Sequence, residues 1–439
     1  MRARALGIEI GLGCPGPLNA VTDVGGVRVG QATIVRGDGP LVVGEGPVRT
    51  GVTVVLPHDG EISEEPLFAG ACRLNGNGEL TGLEWVRESG LLGSPIAITN
   101  SHSVGVVRDA LVRREVQARG CGSLFWSLPV VGETWDGYLN DIGGQHVTDE
   151  HVFEALAAAA GGPVAEGNVG GGTGMICHDF KGGIGTASRV VLCGPDAPAV
   201  LGEGVPVGPG GGPRAAGPDG VGSSQTAADR LPSEPPGVER FTVGVLVQAN
   251  HGERATFQVN GVPVGQILDA AAVPLPELPE LAGPGRSAGT GASGGPGGAG
   301  SIIGIVATDA PLLPPQLERL ARRAGLGVAQ LGAYAGNYSG DLFIAFSTAN
   351  RGLPAMSYGA PSPIRLSVEM LSLSHLDPLF QAVVEATAEA ILNAVLQAQT
   401  MVGRDGVTAR ALAGDRLAGI LERYDRLTFR PPSDCGRDC

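Results

Sequence analysis

Short apolar runs recur along the chain, and most lack the alternating polar position of a half-buried strand. Pro95 to Asn100 (PIAITN), Phe241 to Ala249 (FTVGVLVQA), Ile302 to Ala307 (IIGIVA) and Leu342 to Thr348 (LFIAFST) are such runs. They predict strands buried on both faces. Ala20 to Val29 (AVTDVGGVRV) reads as two β-rich pieces around a Gly-Gly turn, with Gly51 to Leu56 (GVTVVL) as partner. Leu128 to Asp141 (LPVVGETWDGYLND) predicts a strand ending in a turn that presents Glu133, Thr134, Trp135 and Asp136, and Lys181 to Val191 predicts another strand.

Helical spacing appears elsewhere. Leu80, Leu83 and Val86 follow an NGNG turn, and helices are expected over Val104 to Gln117 and Asp149 to Ala160. Pro314 and Pro315 sit where a helix start tolerates proline, ahead of Leu317, Leu320 and Ala321 on one face. Asp377 to Gln399 is alanine-rich and amphipathic, and Thr408 to Tyr424 predicts a further helix. Sheets that need covering, with long helices gathered at the chain end, predict a layered α/β architecture.

Two segments break the pattern. Residues 195–239 and 274–300 are rich in Gly, Pro and Ser and carry no periodicity, which predicts a disordered insertion and a flexible tether. Similar strands flank the tether, so one domain built from residues 1–300 and 301–439 is expected.

A net charge of −14 argues against nucleic-acid partners and anionic membrane surfaces. No apolar run is read as long enough to span a bilayer, and MRARALGIEIGLGCPGP is too glycine-broken for a secretory signal, which predicts a cytoplasmic protein. Seven scattered cysteines without a CxxC pair predict reduced thiols, and with no HExxH or paired Cys/His spacing neither a metal nor a cofactor is expected. Glu166 to Thr173 (EGNVGGGT) fits neither nucleotide fingerprint and predicts a close backbone approach.

Candidate chemistry centres on Ser301, where the tether meets a buried strand. A serine there is either the accidental first residue of that strand or a nucleophile behind a cleavable Gly300-Ser301 bond. GxSxG occurs at Ser287 and Ser293, but both lie inside the tether, without the strand and helix of a nucleophile elbow. No histidine is marked as a triad base. Cleavage before Ser301 would supply one instead, since a free α-amine has a pKa of roughly 7.7 to 8.0.

The blocks NAVTDVGGVRVG, ITNSHSVGVVRDA, PVVGETWDG, EGNVGGGTGM, FKGGIGTASR, GVLVQANHG, GSIIGIVATDAPL, SGDLFIAFSTANR and TMVGRDG resemble the DmpA family of self-processing aminopeptidases, the L-aminopeptidase/D-amidase/D-esterase and β-aminopeptidase group. The resemblance runs from about Asn19 to Gly406. It implies a four-layer αββα sandwich, similar to N-terminal nucleophile hydrolases but with distinct connectivity. It also implies self-cleavage at Gly300-Ser301, Ser301 as nucleophile, Asn250 as oxyanion donor, and Ser339 and Asp341 as the pair orienting the nucleophile and its amine. Some members have glutamate where Asp341 stands. Glu133 matches the carboxylate that receives the substrate's amino group, and Trp135 falls where some members carry a tyrosine. Implied substrates are small peptides, amino-acid amides or esters with a free amine, and the implied assembly is a homo-oligomer of processed αβ units. Competing readings are another amide hydrolase or acyltransferase on the same fold, for which threonine is the usual nucleophile, and an unprocessed, inactive scaffold.

Overall fold

The computed structural model describes residues 1–120, 124–194, 237–268, 273–277, 300–355, 358 and 362–427. Most of the expected insertion and tether lies outside the described residues, and so do Ser287 and Ser293.

The first sheet comprises β1 (Arg28–Arg36), β2 (Val48–Leu56), β5 (Ile96–Asn100) and β6 (Val130–Thr134) in that order, with β5 and β6 parallel. The second has six strands. From edge to edge they are β4 (Leu91–Leu92), β3 (Leu67–Gly76), β12 (Ser339–Ser347), β11 (Gly300–Thr308), β10 (Glu239–Asn250) and β9 (Gly183–Cys193). Only β11 and β12 pair in parallel here. A hairpin of β7 (Ile176–Cys177) and β8 (Phe180–Lys181) leads into β9. Strands from both sides of the tether thus share one sheet, and β10 and β11 are its direct neighbours.

Three apolar layers explain the unbroken hydrophobic runs. Val243, Val245 and Val247 of β10 face helices, while Leu246 between them faces the other sheet. In β11, Ile302 and Val306 face the helices and Ile303 and Ile305 the sheet. With both faces buried, alternation of position persists while alternation of polarity disappears.

Helices α2 (Val104–Arg119) and α3 (Asp149–Ala157) cover the first sheet through Val107, Ala110, Val152 and Ala155. Helices α5 (Pro314–Gln330) and α6 (Asp377–Gln397) cover the second through Leu317, Leu320, Val383 and Ile391. The order of layers is helix, sheet, sheet, helix. Short helices α1 (Leu83–Ser89), α4 (Val264–Ile267) and α7 (Gly414–Arg423) complete the set.

Several local readings change. Val21–Asp23 is a 3-10 turn and not a strand, because Val21 N–H donates to Thr186 Oγ1 and Ala20 N–H to Asp23 Oδ2, outside any ladder. Thr408–Ala409 pairs with Met401–Val402 as a small hairpin, so the last helix begins at Gly414. Ser339, Gly340 and Asp341 lie within strand β12 instead of preceding it. The segment Leu373–Gln397 is long and apolar enough to cross a membrane, contrary to the reading of the sequence, yet 89% of its apolar 18-residue stretch is buried in the fold. Gly171 confirms a close approach: an added Cβ would lie 2.1 Å from Gln248 Oε1 and 2.7 Å from Ile98 O.

Candidate active site

Ser301 is the second residue of β11 and is 3% exposed. It sits between Asn250 of β10 and Gly340 of β12, its partners in the two ladders. Cross-strand partners project from one face, so Ser301 and Asn250 share the face of Ile303 and point toward the first sheet. Among the described residues, Ser301 Oγ has no hydrogen-bond partner. A buried hydroxyl left in that state is uncommon and calls for an explanation.

Asn250 is fixed at both ends. Its Oδ1 accepts from Ile176 N–H at 2.8 Å, and its Nδ2 donates to Trp135 O at 2.9 Å. An amide nitrogen carries two protons, so one donor remains for a ligand. Ile176 belongs to the β7–β8 hairpin, which Lys181 holds: its buried Nζ donates to Gly172 O at 3.3 Å, Met175 O at 2.8 Å and Gly182 O at 2.8 Å. Burial pushes this amine down to about 7.

Glu133 reaches the site from the facing sheet. Its neighbour Gly132 lies against Ile303, where an added Cβ would stand 3.1 Å from that side chain, so β6 crosses directly over β11. Glu133 Oε1 accepts from Glu79 N–H at 2.9 Å, and Oε2 accepts from Ser101 Oγ. Burial pushes its carboxyl up, and those two hydrogen bonds only partly offset the effect. At Gly78 an added Cβ would stand 2.9 Å from Glu133 Oε1 and 3.1 Å from Gly340 Cα. Glycine there lets the carboxylate approach the strand paired with Ser301. Trp135, 39% exposed, stacks edge-on against Tyr138 with ring centres 4.7 Å apart and forms an outer wall.

Ser339 and Asp341 occupy the other face. They share the side of Phe343 and Ala345, toward the helices, and Ser339 stands opposite Gly300 in the ladder. Ser339 Oγ donates to Asp341 Oδ1 at 2.7 Å, and Asp341 Oδ2 has no partner among the described residues. Burial pushes Asp341 up to about 6, against the smaller opposing effect of the Ser339 bond. Both side chains line a cleft with His251, Glu253 and Tyr334. The structure therefore gathers Ser301, Asn250 and Glu133 between the sheets and sets Ser339 and Asp341 beside the backbone of the Gly300-Ser301 bond.

Site residues that sequence reasoning did not single out are Ile176, whose N–H holds Asn250, and Lys181. Ser101, directly after the buried run Pro95 to Asn100, is a third such residue, and its hydroxyl holds Glu133. Among the described residues one group has the spacing to hold a metal ion, Cys177, His178 and His251. It lies directly behind Asn250.

The sequence profile of Peptidase family S58 matches residues 19–211 and 196–409. The chain belongs to this peptidase family, the DmpA family. It is 44% identical over 426 residues to the beta-peptidyl aminopeptidase BapA of Sphingosinicella microcystinivorans, covering 97% of this chain and 93% of that one. Among solved structures, it resembles a beta-aminopeptidase of Burkholderia sp. at 45% identity and a TM-score of 0.77, covering 98% of this chain and 100% of that one. It also resembles the L-aminopeptidase D-Ala-esterase/amidase of Ochrobactrum anthropi, described as a variant of the Ntn hydrolase fold. That match has 39% identity and a TM-score of 0.76, over 97% of this chain and 99% of that one. The fold is accordingly an N-terminal nucleophile hydrolase variant, and the chain is a hydrolase of that type.

Proposed function

We propose that the chain cleaves itself between Gly300 and Ser301 and then acts as a serine aminopeptidase or amidase on small peptides, amides and esters with a free amine. The observation that carries this reading is the buried hydroxyl of Ser301, without a hydrogen-bond partner among the described residues, opposite Asn250 and with the Glu133 carboxylate across the gap.

In self-cleavage the Ser301 hydroxyl attacks the Gly300 carbonyl carbon. A C–O bond forms, the C–N bond breaks, and the hydroxyl proton passes to the departing nitrogen. The α-amine is free once the C–N bond has broken, and water then hydrolyses the ester, which releases the Gly300 carboxylate and restores the Ser301 hydroxyl. That amine serves as base when the hydroxyl attacks a substrate carbonyl, and it returns the proton to the leaving amine. The free Asn250 N–H stabilises the oxyanion, a contribution of roughly 2.7 to 4 kcal/mol. Asp341, hydrogen-bonded to Ser339, holds the new ammonium. Glu133 takes the substrate's ammonium, which repays the burial of its carboxylate.

The similarity to two β-aminopeptidases, at 44% and 45% identity, favours β-amino acyl groups within this substrate class. Matched p-nitroanilides of β-, L- and D-amino acids, each free and N-acetylated, test the reading. The free β-amino compound is turned over fastest, and equal rates on the acetylated set would overturn the assignment of Glu133.

We also infer a homo-oligomer. Residues 362–372 run along the surface without regular secondary structure, with Ile364 101% exposed and Leu366, Val368 and Met370 exposed at every second position. Such a row is apolar surface that a second copy would cover. Cys72, Cys177 and Cys193 carry no disulfide, which supports a cytoplasmic setting.

A further inference from the structure

Behind Asn250 lies a polar cluster that the catalytic reading does not use. Cys177, His178 and His251 each offer one ligand atom, all within 4.8 Å of one another, and all three residues are buried. They come from two elements: Cys177 ends β7, His178 opens its turn, and His251 follows the last residue of β10. Both ring nitrogens of His251 and Nε2 of His178 have no hydrogen-bond partner among the described residues. Three orphaned imidazole nitrogens in one buried pocket need an explanation.

The tautomers are suited to a ligand. His178 Nδ1 lies 3.2 Å from the carbonyl of Glu253, so Nδ1 carries the proton and the Nε2 lone pair is available. Phe257 stacks on His178 at 4.7 Å, which fixes the ring. The turn itself is unusual. His178 and Asp179 both have positive φ, 50° and 58°, in a two-residue hairpin loop of the kind that usually holds Asn-Gly. A histidine kept there places its ring in the pocket.

We propose that Cys177, His178 and His251 form a binding site for a zinc ion. One thiolate and two imidazoles without a carboxylate suit zinc rather than magnesium or calcium. Tetrahedral zinc wants ligand atoms roughly 3.3 to 3.6 Å apart, so the side chains close by about an ångström around it. Binding forms one Zn–S and two Zn–N bonds and displaces water from the ion, and the thiol proton leaves to solvent. A solvent molecule or an added ligand takes the fourth position.

The placement gives the site a role. Cys177 follows Ile176 and His251 follows Asn250, and Ile176 N–H donates to Asn250 Oδ1. A metal bridging Cys177 and His251 ties the hairpin to the end of β10 across that hydrogen bond. The site is thus a staple for the Asn250 side chain. Metal binding itself does not depend on the aminopeptidase reading.

The test uses the full-length protein, treated with chelator and titrated with zinc chloride and, separately, cobalt chloride. One equivalent of zinc binds, the thermal midpoint rises with zinc, and cobalt gives a thiolate-to-metal charge-transfer band with a tetrahedral visible spectrum. Cys177→Ala removes the charge-transfer band, and His251→Ala weakens zinc binding at least 100-fold. Failure of the wild type to bind an equivalent of either metal would overturn the proposal even if both variants misfold. So would retention of full affinity in folded Cys177→Ala. Turnover of p-nitroanilides by metal-free protein leaves the enzymatic reading intact in either case.

Discussion

Asn250 and Ser301 face each other across the last rung of the β10–β11 ladder, with their side chains on the same face of the sheet. The tether joins them in sequence, and the sheet joins them in space. Whatever happens at the Gly300-Ser301 bond therefore happens beside an amide anchored at both ends.

Removing that amide should slow chemistry more than binding. Asn250→Ala is expected to lower the rate of self-cleavage, and kcat of any processed enzyme, by about 100- to 1,000-fold with little change in KM. A time course of chain cleavage on denaturing gels measures the first effect directly.

Glu133→Gln keeps the shape of the side chain and deletes the charge. KM for free-amine substrates should rise about 10- to 100-fold, the loss of a charge-assisted hydrogen bond. Residual hydrolysis of N-acetylated analogues should not change. Steady-state kinetics on paired substrates separates the two.

The pH dependence of self-cleavage should report Asp341. Burial raises its pKa from 3.8 to about 6, so the folded chain prefers the neutral acid. That preference stabilises the fold fully below about pH 4 and is lost as pH rises through about 6, a difference of about 3 kcal/mol. If the ionised form assists the nucleophile, cleavage speeds up over the same interval. Asp341→Asn should flatten both limbs, read from cleavage rates and from thermal midpoints of uncut protein.

Arg189 tests the frame rather than the site. It is fully buried, pairs with Glu385 at 3.1 Å and Glu389 at 2.8 Å, and donates to Ile10 O at 2.6 Å. Burial alone would push Glu389 up, yet Arg189 and Arg4 hold it below its usual range. Arg189→Ala leaves Glu385 without its cation and Glu389 with Arg4 alone, and should cost about 3 to 5 kcal/mol in denaturant unfolding.

The layered fold and its main strands were legible because continuous β-branched runs such as Ile302 to Ala307 have few alternatives. The positions of Ser301, Asn250 and Glu133 were readable only through the family's motifs, since a polar residue at a strand end looks the same with or without a role. Other features could not be read from pattern. The face occupied by Ser339 and Asp341 depends on where β12 begins, and apolar runs do not mark that boundary. Lys181 and Arg189 are cations in strand-like sequence whose buried partners lie up to 200 residues away. The Cys177, His178 and His251 group escapes any spacing rule because strands β8, β9 and β10 and an insertion separate His251 from the adjacent Cys177 and His178.

The central claim rests on one bond. Purified wild-type protein, incubated and examined by denaturing gel and intact mass, should resolve into two chains, the second beginning Ser301-Ile302-Ile303, while Ser301→Ala remains whole and inactive. A wild-type chain that stays in one piece on prolonged incubation, or a Ser301→Ala chain that divides at the same bond, would contradict the account.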